Sequence, residues 1–452
     1  MAKNKIIYLL VVATFAALSP LSLEGLEFQD SVAASQSDSL ETMPLNPDTV
    51  YVNTHAPVVK TGIEVLRDRG FDVLLGKRIG LVTNPSGVDS RLNSTIDILY
   101  NAEGVELVAL YGPEHGVRGD KYAGDKVGNE TDLTTGLPVY SLYGATRKPT
   151  KEMLKGLDAI VYDIQDIGVR SYTFISTLGL VMEACGELGI EVIVLDRPNP
   201  LGGLKVEGPL VRDGYHSFIS QYKIPYIYGL TVGELALMLN SEGLNRGQRG
   251  IQEPASCRLT VIPMEGWTRE MLYSETRLPW VLPSPNIPFC DTPQYYAAAG
   301  IAGELSNFLQ IGIGYTLPFQ VFAAQWIDPV ALKAELDSYE LLGVAFRAIV
   351  YKPFSGSQAG KILKGVQYFF TDYEKAAVTE VQFSVLQAIA KLYPAHRAFE
   401  AATSVGAFDK VCGTNYVREA FGRRYEFDDI SQYWRSDAEG FREMSMKYWM
   451  YR

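Results

Sequence analysis

Four polar clusters stand out in the sequence, and each follows a short apolar run of the kind that forms a buried β-strand. The clusters are residues 83–87, 112–119, 163–170 and 196–203. They carry carboxylates, amides and arginines, which can transfer protons and bind anions. Paired carboxylates without a cofactor suit hydrolysis, in which one carboxyl group protonates the leaving oxygen and the other activates water or attacks.

Glu114 is the first catalytic candidate. Glutamate is a poor turn former, yet this one lies in a tight Gly112-Pro113-Glu114-His115-Gly116 segment that can direct its carboxyl group into a cleft. We therefore predict that Glu114 is a general acid. Asp163, Asp166 and Asp196 are the candidates for the ionised partner. An aspartate at a strand end can equally cap a helix or anchor a turn, so a structural role stays open for each.

Three arginines beside these acids, Arg118, Arg170 and Arg197, could form a pocket for a substrate carboxylate. They could also be ordinary ion-pair partners of the same acids. The other substrate-binding candidates are polar or aromatic residues in or near the clusters: Asn84, His115, Gln165, Tyr172, Asn199, Glu207 and Asn286.

The elements that must position these residues alternate along the chain. Apolar strands are predicted at 78–83, 105–111, 158–162 and 191–195, and a helix is predicted over about 172–188. This alternation is typical of an α/β fold with a Rossmann-like, doubly wound parallel sheet. Because ligands bind outside the carboxyl ends of such strands, the four clusters should converge. Thr231-Val232-Gly233-Glu234 reads as a capping box that opens a further helix.

The second half of the sequence has a different pattern. A proline-rich stretch near residue 285 is followed by strand-like segments at 319–326 and 365–371. A helix is predicted over 378–392, ended by Pro394. We predict a Rossmann-like catalytic domain over 61–285 and a smaller α+β domain over 286–452.

The N-terminus resembles an export signal, with Lys3 and Lys5 before an apolar run from residue 6 to residue 18. Val32-Ala33-Ala34 is a plausible cleavage site, which gives a signal peptide over 1–34 and a flexible leader over 35–60. An uncleaved membrane anchor is the alternative. We expect an exported protein, periplasmic or secreted, with no stable membrane span after signal cleavage.

Composition and missing motifs exclude several function classes. The net charge of −11 argues against nucleic acid as a partner. The sequence has no GxGxxG after its first strand, no phosphate-binding loop, no GxSxG elbow and no HExxH. Its four cysteines and four histidines are scattered without metal-ligand spacing. We predict neither a cofactor nor a metal.

Several sequence blocks resemble one known family in order and in content. They are Gly112 to Gly116, Tyr162-Asp163-Ile164-Gln165-Asp166-Ile167-Gly168, Leu195 to Gly203, Val206-Glu207-Gly208-Pro209, residues 231–236, and Trp280 with Pro283-Ser284-Pro285-Asn286. The blocks are similar to those of the exo-β-N-acetylmuramidase family NamZ, long filed as a domain of unknown function, and the resemblance runs from about Gly62 to the C-terminus.

The resemblance implies a two-domain glycosidase that releases non-reducing-end N-acetylmuramic acid from peptidoglycan-derived saccharides in a cleft between the domains. It also implies that Glu114 is the catalytic acid. The chain departs from the family pattern at residues 306–316, where an expected basic residue is missing. Two alternatives remain at this point: a non-catalytic wall-binding protein, and a wall esterase or amidase, which would need a serine or cysteine nucleophile.

Overall fold

The computed structural model describes residues 57–119, 130–243, 256–305 and 307–452. The predicted signal peptide and most of the predicted leader lie outside the described residues. The described chain forms one compact unit with an N-terminal and a C-terminal lobe.

The N-terminal lobe is built on a seven-stranded sheet. Its strands are β1 (Arg78–Thr83), β2 (Glu106–Gly112), β3 (Glu130–Thr131), β4 (Pro138–Ser141), β5 (Ala159–Asp163), β6 (Glu191–Leu195) and β7 (Arg258–Ile262). The strand order is β3-β4-β2-β1-β5-β6-β7, and every pairing is parallel except that of β3 with β4. From β1 the sheet is extended on one side by β2 and β4, and on the other side by β5, β6 and β7. This change of side confirms the predicted doubly wound sheet.

The central strands form because their residues are apolar on both sides. Residues 79–83 of β1 and all of β5 are buried, as expected for a parallel sheet that is covered on both faces. The covering helices are α1 (Gly62–Asp68), α2 (Thr95–Tyr100), α3 (Phe174–Leu188) and α4 (Val232–Glu242). Helix α4 begins at Thr231 with the predicted capping box, in which the Glu234 backbone N–H donates to the Thr231 hydroxyl.

The C-terminal lobe is mostly helical around a three-stranded antiparallel sheet of order β8-β10-β9. Its strands are β8 (Val321–Ala324), β9 (Val344–Tyr351) and β10 (Leu363–Phe370). Its helices are α5 (Thr292–Gly303), α6 (Pro329–Asp337), α7 (Val381–Leu392), α8 (Ala398–Ala401), α9 (Gly406–Cys412), α10 (Tyr416–Arg424), α11 (Asp428–Arg435) and α12 (Ala438–Ser445). A short 3-10 turn, Val378–Glu380, leads into α7.

One large apolar core runs through both lobes and includes side chains from α3, α4, α5, α7 and β10. A second core fills the other face of the large sheet. None of the helices in the described ranges is both long enough and apolar enough to cross a bilayer.

Candidate functional site

The loops that follow β1, β5 and β6 are tied to one another and to their neighbours by buried amides. Asn84 donates to the Pro283 carbonyl at 2.9 Å, and Gln165 donates to the Pro198 carbonyl at 2.7 Å. Asn199 donates to the Leu230 carbonyl at 2.9 Å. These three side chains were predicted as substrate ligands, and in the structure each satisfies a backbone carbonyl of an adjacent loop.

Asp163 and Arg197 form a buried ion pair. The Arg197 Nη2 atom lies 2.9 Å from the Asp163 carboxylate, and both residues are almost completely buried. The same guanidinium also donates to the Val88 carbonyl at 2.8 Å. Neither residue is among those that line the cleft described below, and their mutual pairing explains why both can be buried.

Asp196 is also buried, as an anchor for α4. Its carboxylate accepts hydrogen bonds from the Thr231 hydroxyl at 2.7 Å, from the Gly233 N–H at 2.8 Å and from the Tyr451 hydroxyl. Burial raises the pKa of Asp196 to about 7. Asp196 was predicted as a catalytic carboxylate, and in the structure it caps a helix. This is the structural role that the sequence left open for it.

Asp166 lies close to the Tyr172 and Tyr296 hydroxyls and is itself buried. One carboxylate oxygen accepts from the Gly168 N–H at 2.7 Å and from the Tyr228 hydroxyl. Burial raises the pKa of Asp166 to about 6. Asp166 therefore lies behind the two tyrosines, which line a cleft, and its own carboxylate does not line that cleft.

Three further candidates, Arg170, Arg118 and Glu207, bind to other parts of the protein. Arg170 is fully buried and donates to the carbonyls of Pro209 and Val411, each at 2.7 Å, and of Ile224. Arg118 pairs with Asp132 at 2.9 Å.

Glu207 accepts from the Thr379 N–H at 2.8 Å and from the Thr379 hydroxyl at 2.7 Å, at the start of the turn that leads into α7. Neither Glu207 nor the two arginines line the cleft described next, so the predicted three-arginine pocket is not formed.

A cleft of about 640 Å³ opens beyond the carboxyl ends of β2, β4 and β5, where both lobes contribute to its walls. Of the predicted site residues, it brings together Glu114, His115, Tyr172 and Asn286. Residues that the sequence did not single out complete its polar lining: Tyr143, Arg147, Tyr296, Glu304 and Lys410.

A strained turn presents Glu114 to this cleft. His115 has a φ of +74° and is followed by Gly116 at +75°, while the Gly116 N–H donates to the Pro113 carbonyl at 3.0 Å. Left-handed backbone is costly for a non-glycine residue and often marks a functional site. The Tyr143 hydroxyl lies next to the Glu114 carboxylate, and burial, followed by the interaction with that carboxylate, raises the pKa of Tyr143 to about 12.

Glu304 supplies a second carboxyl group from the C-terminal lobe. It is the C-cap residue directly after α5, and burial raises its pKa. Both Glu304 and Glu114 lie close enough to the Tyr296 hydroxyl to raise the pKa of Tyr296 after the larger effect of burial. The cleft therefore holds two carboxyl groups, one from each lobe, around one tyrosine.

The sequence did not predict Glu304 as a site residue, because no neighbouring residue indicates that it lies near Glu114. The available signal was its position: a single charged residue at the end of the otherwise uncharged helix Thr292–Gly303, just before the segment that departs from the family pattern. Its approach to Glu114 depends on the packing of the two lobes, which periodicity does not report.

The cleft is suited to acid–base chemistry on an uncharged bond, with paired carboxyl groups and aromatic walls that can contact a sugar ring. Across the described ranges, no group of three or more His, Cys, Asp or Glu side chains is placed to hold a metal ion.

Two family models match the chain. The N-terminal model of the exo-β-N-acetylmuramidase NamZ covers residues 79–291, and the C-terminal model of the same family covers residues 294–451. Together they span nearly all of the described residues.

Relatives agree with this match. The chain is 42% identical over 406 residues to the peptidoglycan β-N-acetylmuramidase NamZ of Bacillus subtilis strain 168, covering 90% of this chain and 94% of that protein. Two crystal structures of DUF1343 family proteins from Bacteroides fragilis are similar in fold. One has a TM-score of 0.83 and 51% identity over 88% of this chain and 100% of that chain. The other has a TM-score of 0.69 and 29% identity over 87% and 99%.

Proposed function

The chain belongs to the NamZ family of exo-β-N-acetylmuramidases, and we propose that its cleft releases N-acetylmuramic acid from the non-reducing ends of peptidoglycan fragments with Glu114 and Glu304 as the catalytic pair. The chain is an exo-acting glycosidase of this family. The pair itself is supported by one observation above all: two carboxyl groups from different lobes line the same cleft beside Tyr296.

The surroundings of the two groups favour different roles. Burial raises the pKa of Glu304, which favours the protonated form that a general acid needs. Glu114 lies next to the Tyr143 hydroxyl, on the wall that the N-terminal lobe forms. We therefore assign proton donation to the glycosidic oxygen to Glu304, and attack at the anomeric carbon, directly or through water, to Glu114. The sequence alone favoured Glu114 as the acid.

The test compares Glu304→Gln and Glu114→Gln on two substrates: the natural disaccharide and an aryl glycoside of N-acetylmuramic acid. General acid catalysis typically contributes about 10²–10⁴-fold, so E304Q should lose at least ~10²-fold on the disaccharide. It should lose much less on the aryl glycoside, because a phenolate leaves without full protonation. E114Q should lose activity on both substrates alike.

Glu152→Gln, at an exposed turn before β5, is the matched control and should keep full activity on both. The opposite pattern, with E114Q rescued by the aryl leaving group, would exchange the two roles. Near-normal turnover of the disaccharide by either folded variant would refute the pair.

We also propose that the protein is exported and acts outside the cytoplasm. The support is the sequence alone: the lysine-led apolar run that ends near residue 18, and the small-residue site that ends at Ala34. Peptidoglycan fragments outside the membrane are consistent with this location. N-terminal sequencing of the protein from its native cells should begin near Ser35, and a soluble cytoplasmic form that still begins at Met1 would contradict export.

A further inference from the structure

We propose that Arg147, assisted by Lys410, binds the lactyl carboxylate that distinguishes N-acetylmuramic acid from N-acetylglucosamine. This inference rests on the proposed function and names the specificity-determining residues of the same cleft. It replaces the sequence-based expectation for Arg118, Arg170 and Arg197, because those three side chains are engaged in ion pairs or with backbone carbonyls away from the cleft.

The charge of the cleft favours such a group. Glu114, the carboxylate of the proposed pair, lines the cleft, and the protein as a whole has a net charge of −11. An anionic substrate is repelled by a carboxylate at short range, and a cation in the same cleft offsets this repulsion. Arg147 and Lys410 are the arginine and the lysine among the described lining residues.

Arg147 is held in place but retains free donors. Its guanidinium lies over the Phe218 ring, with 4.2 Å from the guanidinium carbon to the ring centroid, and Phe218 is another lining residue. Stacking of this kind fixes the plane of the guanidinium while leaving its edge N–H groups exposed. Among the described residues, no ion pair or side-chain hydrogen bond involves Arg147, and the residue is exposed, so its guanidinium can bind a carboxylate.

Arg147 is also close to the catalytic groups. Its charge acts on the Tyr143 hydroxyl, where it opposes the rise in pKa of Tyr143 that burial and Glu114 cause. The cation therefore lies within electrostatic reach of the wall that carries Glu114. A sugar bound against that wall would bring a substituent of its ring close to the guanidinium.

Lys410 approaches from the other lobe. It lies on α9, which packs against α5, the helix that carries Tyr296 and ends at Glu304. The two cations thus belong to the two walls that supply the two carboxyl groups. Since a guanidinium can bind a carboxylate through two parallel hydrogen bonds and an ammonium acts as a point charge, we assign the direct contact to Arg147 and a supporting charge to Lys410.

The experiment uses the full-length mature enzyme and two aryl glycosides that differ only at the lactyl group: the free acid and its neutral carboxamide. We expect wild type to prefer the acid. In Arg147→Met the ratio of kcat/KM for acid to amide should fall ~10-fold or more, the size of a lost charge-assisted hydrogen bond. Arg147→Lys should retain part of the preference, and Lys410→Met should lower it less than R147M does.

Lys155→Met is the matched control, because Lys155 is exposed in the turn before the amino end of β5, whereas the cleft lies beyond the carboxyl end of that strand. It should leave the ratio unchanged. An R147M enzyme that folds and keeps the wild-type ratio would overturn the proposal, as would a K410M ratio that falls further than that of R147M. A wild-type enzyme that cleaves neither glycoside would instead refute the proposed function, so the two failures are distinguishable.

Discussion

The role of each acidic side chain in this protein depends on how many donors surround it. Asp196 has four side-chain or backbone donors within its own fold, and Asp163 has a dedicated arginine. Glu114 and Glu304 lie in the cleft, where a substrate can approach. A carboxylate that is saturated by internal donors cannot exchange protons with a substrate without breaking its own network. The sequence shows where acidic residues occur. It does not show their hydrogen-bond donors, because these come from distant segments.

Asp166 should make folding stability depend on pH. Burial raises its pKa from 3.8 to about 6 in the folded protein. Below the lower value, both states hold the proton and the group contributes no pH dependence. As the pH rises through both values, the unfolded chain releases the proton first, so the free energy of unfolding falls by up to about 3 kcal/mol.

Asp166→Asn removes this effect and keeps the shape of the side chain. Both described donors, the Gly168 N–H and the Tyr228 hydroxyl, contact the same oxygen, so the asparagine oxygen can take its place. Urea denaturation at about pH 4 and about pH 8 should show the variant gaining stability relative to wild type at the higher pH. Asp213→Asn, at an exposed turn, should show no such gain. A pH-independent difference between D166N and wild type would contradict this account.

At the scale of elements, the sequence predicted best the short apolar strands and the helix that has a clear start signal. The predicted β1 and β6 match Arg78–Thr83 and Glu191–Leu195, and α4 begins at its predicted capping box. Helix α5 was not predicted, because Thr292–Gly303 is buried on nearly all sides and shows no amphipathic pattern. Only one half of the candidate site could therefore be predicted from the sequence. The Glu114 loop follows a predictable strand, whereas Glu304 follows a helix whose sequence has no periodic pattern.

Arg170 connects elements that are far apart in sequence, and its loss should be costly. It donates to carbonyls of two N-terminal loops and, through Val411, to α9. Arg170→Met would leave these buried acceptors without a donor, at about 1–3 kcal/mol for each unsatisfied group. Thermal and urea unfolding should report a loss of at least about 3 kcal/mol, or failure to fold.

Arg118→Met is the comparison variant for this prediction. Arg118 is partly exposed, with 35% of its side chain accessible, and pairs mainly with Asp132. Asp132 is buried but keeps its hydrogen bonds from the Thr135 N–H and hydroxyl, so the loss of Arg118 should cost about 1.5–3 kcal/mol, less than the loss of Arg170. Equal losses in the two variants would mean that the three buried carbonyls find other donors, contrary to the structure.

At the scale of the whole molecule, the last residues of the chain return to the N-terminal lobe. The Met264 N–H donates to the Tyr451 hydroxyl at 2.9 Å, and the Met450 N–H donates to Glu234 at 2.8 Å. The Arg269 guanidinium carbon lies 3.8 Å from the centroid of the Trp449 ring. The end of the chain therefore packs on the N-terminal lobe, in a small apolar cluster that is separate from the large core of both lobes.

Deletion of residues 449–452 should therefore destabilise the N-terminal lobe, although it removes no part of the cleft. Asp196 and Glu234 would each lose a hydrogen-bond donor, and the apolar cluster around Trp267 would lose Tyr451. We expect a lower Tm, by several degrees or more, with reduced activity that follows the folded fraction. A truncated protein with the wild-type Tm would show that this return of the chain is dispensable.

The position of Tyr451 also determines when the protein can finish folding. The sheet of the N-terminal lobe is complete once β7 has been made, yet Asp196, at the end of β6, obtains its Tyr451 donor only from the second-last residue of the chain. Because the two residues are 255 positions apart, this hydrogen bond forms only after the chain has been synthesised as far as Tyr451. The packing around Asp196 is therefore completed late, after the strands of the sheet have been made.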